Sequence, residues 1–113
     1  MSASIFKING EFNGPVNLVA TVPAGDIYLL VSVSVKLDVA PTTSEDLTVT
    51  LDTNAGPAYD VLLYSIDPSA LAVTDLMWVP DEEIFLEGGD AIVVAYTGTD
   101  GRHAGVQITV KAV

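Results

Sequence analysis

Apolar residues in this chain recur at every second position, and that spacing constrains the fold more than any other feature. From Ile27 to Asp38 the odd positions are Ile27, Leu29, Val31, Val33, Val35 and Leu37. The even positions end in Ser32, Ser34, Lys36 and Asp38. Successive side chains of an extended strand point to opposite faces, so this segment predicts a long strand with its odd set buried. Leu47, Val49 and Leu51 alternate in the same way with Thr48, Thr50 and Asp52. Val106, Ile108, Val110 and Ala112 alternate with Gln107, Thr109 and Lys111, and Val16, Leu18, Ala20 and Val22 make a weaker version.

Three more segments read as strands but lack a polar face: Tyr59 to Ile66, Leu71 to Val79, and Ala91 to Thr97. A strand that is apolar on both sides has to be covered on both sides. One layer of a sandwich covers one face, and the other needs a loop, a terminal segment or a neighbouring subunit. Turn chemistry separates the runs at Asn13-Gly14-Pro15, Pro23 to Asp26, Pro41 to Ser44, Asn54 to Pro57, Asp67-Pro68-Ser69, Pro80-Asp81, Gly88 to Asp90 and Gly98 to Gly101. No sustained helical stripe occurs, although Pro68 to Leu71 suits one short helical turn. The prediction is an all-β fold: an antiparallel β-sandwich of eight to nine short strands. Val22-Pro23-Ala24-Gly25-Asp26 echoes Leu86-Glu87-Gly88-Gly89-Asp90, and each precedes an apolar strand. Two such entries suit the paired Greek keys of a jelly roll. Residues 13–113 form one sandwich domain in this reading. Residues 1–12, with apolar Ile5, Phe6 and Ile8, read equally as an N-terminal arm or as a first strand.

Composition narrows the use of such a sandwich. The 113 residues suit a single core. Cysteine is absent, which excludes disulfide scaffolds, zinc-thiolate sites and cysteine nucleophiles. Fifteen acids against four bases give −11, a sign that repels a phosphate backbone and argues against nucleic acid as a partner. No apolar run approaches the ~20 residues of a membrane span, and Met1 to Gly10 lacks the basic start and apolar run of a secretory signal. Yet only 17% of residues are charged and half are hydrophobic. The expectation is that part of the apolar surface meets another protein chain.

No constellation for chemistry emerges. His103, the only histidine, lies in the polar run Thr99 to His103; a triad with Ser65 and Asp100 lacks any Gly-x-Ser-x-Gly elbow, so an exposed loop histidine is expected. Asp81-Glu82-Glu83, with Glu87 and Asp90 nearby, matches no calcium loop, and consecutive acids on an extended chain face opposite ways. No metal site, catalytic residue or cofactor is expected. Paired carboxylates for glycoside hydrolysis lack a cleft. The rings of Tyr28, Tyr59, Tyr64, Trp78 and Tyr96 could stack on sugars, but aromatic side chains suit strand packing and subunit interfaces equally, and Trp78, between Met77 and Val79 and before Pro80, is expected to be buried at a strand end. Gly88-Gly89 is too short for a phosphate loop, and Lys7, Lys36, Arg102 and Lys111 are scattered in sequence.

Several segments in order carry a resemblance. They are Val22 to Asp26 before a Val/Ser strand, Asp46 to Asp52, Tyr59 to Tyr64, Thr74 to Pro80, and Leu86 to Asp90. Together they resemble small β-sandwich virion structural proteins of tailed bacteriophages, capsid decoration proteins above all. The resemblance implies a non-enzymatic jelly-roll subunit, often a homotrimer, that sits on the virion surface and binds the major capsid protein. Ile5, Phe6, Ile8, Tyr28, Tyr64, Trp78 and Tyr96 are the expected subunit or lattice interface. The alternative reading is a carbohydrate-binding or tail-associated receptor-recognition module of similar fold.

Overall fold

The computed structural model describes residues 5–113. Nine strands alternate with turns: β1 (Ile5–Asn13), β2 (Val16–Thr21), β3 (Ile27–Leu37), β4 (Leu47–Asp52), β5 (Val61–Ile66), β6 (Asp75–Trp78), β7 (Phe85–Glu87), β8 (Ala91–Tyr96) and β9 (His103–Ala112). One 3₁₀ turn, Pro57–Tyr59, precedes β5. The strands form two antiparallel sheets. One runs β1-β9-β3-β6, with β7 also paired to β3; the other runs β2-β8-β4-β5.

The pairing is nested. β1 pairs with β9, β2 with β8, β3 with β6 and β7, and β4 with β5. A chain that pairs first with last and works inward, then wraps into two sheets, is a jelly roll. β6 and β7 share one edge position: β6 pairs with Val33 to Lys36, and β7 with Ile27 to Leu29. The two echoing turns meet in space, with the Val22 N–H donating to the Asp90 carbonyl at 2.8 Å and the Gly89 N–H to the Val22 carbonyl at 2.9 Å.

Alternation explains the core. β9 buries Ala104, Val106, Ile108 and Val110 and turns Gln107, Thr109 and Lys111 outward. Val49, Ile92 and Val94 face them from the second sheet. β3 departs from the expected phase. Its register against β9 shifts between Leu30 and Ser32, leaving Val31 as the extra residue of a bulge. Tyr28 and Leu30 face inward before the bulge, and Val33, Val35 and Leu37 face inward after it. The expected all-odd buried face is therefore corrected: Ile27, Leu29 and Val31 are exposed or half-exposed. A bulge moves the side-chain phase by one, so the odd-numbered apolar residues on its N-terminal side turn outward and the even-numbered ones inward.

Two other strand boundaries differ from expectation. Tyr59 belongs to the 3₁₀ turn, and Asp60 follows it with its carboxylate accepting the Thr53 N–H at 2.9 Å. Leu71 to Thr74 is a turn rather than strand, since Ala72 sits in the left-handed region and the Val73 N–H closes onto the Pro68 carbonyl at 2.9 Å. At the same end of the sandwich, Gly14 and Gly98 touch. Both have positive φ, and a Cβ on Gly98 would overlap the Gly14 carbonyl, so only glycine fits that crossing.

Candidate interaction surfaces

The acids divide into loop ties and exposed borders. At the end of the sandwich capped by Tyr96, carboxylates stitch loops together. Asp100 accepts from the backbone N–H and hydroxyl of both Thr42 and Thr43. Glu45 accepts from the Thr99 N–H at 2.9 Å, Asp67 from the Ser44 hydroxyl, and Asp38 from the His103 N–H at 3.1 Å. The Thr43 hydroxyl and the surrounding donors hold the Asp100 carboxyl well below the usual carboxylate range, and the Ser44 hydroxyl lowers Asp67 in the same way. These carboxylates are occupied in structural hydrogen bonds. Among the described residues no group of three or more His, Asp or Glu side chains gathers to hold a metal ion. The exposed His103 ring lies 2.8 Å from the Asn13 side-chain oxygen through Nδ1, and Ser65 is on β5 in the other sheet.

The expected interface residues fall into separate groups. Phe6 and Tyr28 approach with ring centroids 5.9 Å apart, and with Ile8 they line an apolar cavity of about 250 Å³ between the sheets. Topology makes that meeting, because β1 and β3 flank the same strand, β9. Tyr64 and Trp78 stack at 5.4 Å on the opposite flank, where the β5 edge of one sheet faces the β6 edge of the other. Both rings are half-buried. Ile5 is 63% exposed and stands in register with Lys111, on the outer side of its sheet. Tyr96 is a correction. It is only 4% exposed and pairs with Val16 and Leu47 inside the sandwich, so it lies in the core of its own subunit and not on a docking face. Burial, followed by the nearby Glu45 and Asp100 charges, pushes its phenol up.

The outer faces of the two sheets differ. Registers on the β2-β8-β4-β5 sheet bring Asn17, Ala95, Thr48 and Ser65 into one row and Val19, Val93, Thr50 and Leu62 into the next. Asp52 is the one acid on those strands' outward positions. The β1-β9-β3-β6 sheet is more divided. One row reads Ile5, Lys111, Leu29 and Phe85; another reads Asn9, Gln107, Ser34 and Met77. Asn9 accepts from the Gln107 amide at 2.8 Å in that second row. Phe85 is 52% exposed and Met77 69%, with Ile27 and Val79 also exposed beside them.

Sequence reasoning missed Ile27, Leu29, Met77, Val79 and Phe85 as surface residues. The bulge that frees Ile27 and Leu29 is set by pairing with β9. β7 has only three residues, too few to show a period.

No family model matches the sequence, and no curated protein matches it. Among solved structures, the chain is similar to one in the acidic stable capsid structure of Helicobacter pylori bacteriophage KHP30, at 14% identity and a TM-score of 0.54. The match covers 98% of this chain and 88% of that one. The likeness is one of fold, an antiparallel β-sandwich traced along nearly the whole chain.

Proposed function

We propose that this chain is a non-enzymatic structural protein of a tailed-bacteriophage virion, a capsid decoration protein that sits on the virion surface and binds the assembled lattice of the major capsid protein. The observation that carries the reading is the apolar surface left outside the core. Ile5, Ile27, Met77, Val79 and Phe85 are exposed on or beside one sheet face, apart from the buried cluster that holds the two sheets together. Side chains outside that cluster add little to the fold; contact with a partner removes them from water. The sandwich shared with a chain of a phage capsid structure supports the same reading. We extend it to a homotrimer, whose mass by light scattering would be close to three times 11.8 kDa.

Stabilisation would follow from mass action, since a protein that binds only the assembled lattice shifts the equilibrium away from disassembly. The test heats purified particles with and without the protein and follows release of packaged DNA. Decorated particles should open at a higher temperature; equal resistance to heat overturns the stabilising role. For the carbohydrate-binding reading, Tyr64 and Trp78 stack on each other and Tyr96 is buried; of the five rings Tyr59, in the 3₁₀ turn, is the exposed one.

A further inference from the structure

The outer face of the β1-β9-β3-β6 sheet is electrically divided. Lys7 on β1 and Lys111 on β9 point outward at one border, where Glu11, further along β1, is the one outward acid. Lys36, on β3, lies nearer the middle, 4.0 Å from Asp75. Three of the four basic residues of a −11 chain thus share one face, although they are far apart in sequence. The other border, formed by β6, β7 and the loop between them, carries Asp75, Asp81, Glu82, Glu83 and Glu87, all exposed, and no base. Met77 on β6 and Phe85 on β7 stand on the acidic border itself, while Ile5 flanks Lys111 at the basic one, with Leu29 inboard of Phe85.

We infer that the two borders of this sheet join copies of the chain edge to edge, with the Lys7–Lys111 border of one copy set against the Asp81–Glu83 border of the next. The inference deepens the self-association in the proposed function and names its contact. Copies of a strongly acidic protein repel one another in most orientations. The Lys7–Lys111 border offers a neighbour's acids a pair of positive charges, and this alignment also takes Ile5 of one copy and Met77 and Phe85 of the next out of water. Because the two borders are different edges of the sheet, the contact is heterologous and, repeated about a threefold axis, closes a ring.

Charge reversal tests the contact by sedimentation of the purified chain. Lys7→Glu with Lys111→Glu should weaken self-association roughly tenfold, and so should Glu82→Lys with Glu83→Lys. The second pair is decisive. It lowers the net charge from −11 to about −7, so general repulsion alone would strengthen association. Combining all four changes returns the net charge to the wild-type value with the borders exchanged, and should restore association. All four side chains are exposed, and unchanged melting temperatures verify that each variant folds. Association that is unaffected by either pair, or strengthened by Glu82→Lys with Glu83→Lys, overturns the inference. A wild-type chain that stays monomeric at every concentration also overturns it, while lattice binding, read separately by the heating experiment, can still stand.

Discussion

Asp100 joins two loops through one side chain. Its carboxylate draws the segment containing Thr42 and Thr43 onto the turn before β9, using two backbone and two hydroxyl donors. Those donors favour the charged form, with the Thr43 hydroxyl contributing most, and they hold its pKa far under the unfolded value of 3.8. The sign of the pH dependence follows. A depressed carboxylate stabilises the fold above its unfolded pKa, and the contribution is lost as pH falls from there toward the folded pKa. Asp67, lowered chiefly by Ser44, acts in the same window. Asp100→Asn should therefore melt below wild type by an amount that stays constant between pH 7 and about 4.5 and shrinks below about pH 4. Melting curves followed by circular dichroism at successive pH values check this. A difference that already narrows between pH 7 and 5 would show that the carboxylate is not the group responsible.

At the scale of strands, position within the sheet decides what a side chain is worth. β9 is central, paired with β1 on one side and β3 on the other, and Ile108 is fully buried within it. Ile108→Ala removes methyl groups from a site hemmed in on both sides and should cost about 3 kcal/mol. Phe85 stands on the outer side of the short edge strand β7, and Phe85→Ser should change stability by no more than about 0.5 kcal/mol while weakening docking. Urea unfolding separates the two; a cost for Phe85→Ser equal to that of Ile108→Ala would mean that its ring supports the fold itself. The same contrast explains what the sequence could reveal. The alternation in β4 and β9 was legible because each has a polar set opposite an apolar one. β8 has no polar set: Ala91 through Ala95 are all apolar, so nothing local marks Tyr96 as inward-facing. In β3 the period was visible but its phase was not, because the bulge at Val31 is fixed by β9, some 75 residues further along the chain. The Phe6–Tyr28 and Tyr64–Trp78 pairs likewise depend on the nested pairing order, which no single segment encodes.

For the molecule as a whole, charge and exposed apolar surface act against each other. At pH 7 the net charge of −11 keeps copies apart in most orientations, which lets a protein displaying Ile5, Met77 and Phe85 remain dispersed until it meets a matching surface. Lowering the pH removes that protection as the carboxylates take up protons. At the isoelectric point near 4.1 the net charge vanishes, yet Asp100 and Asp67 are still ionised and the loop ties still hold. The chain should therefore become turbid near pH 4.1 while its circular dichroism stays that of the folded protein, and clear again below about pH 3 as the charge turns positive. Charge sets where the maximum falls, and the exposed apolar residues set its height. Met77→Ser with Phe85→Ser changes no charge, so it should leave the pH of the maximum in place and reduce its amplitude. Equal turbidity in the variant would show that these residues are not the sticky surface, and the case for a docking face on this sheet would fall with them.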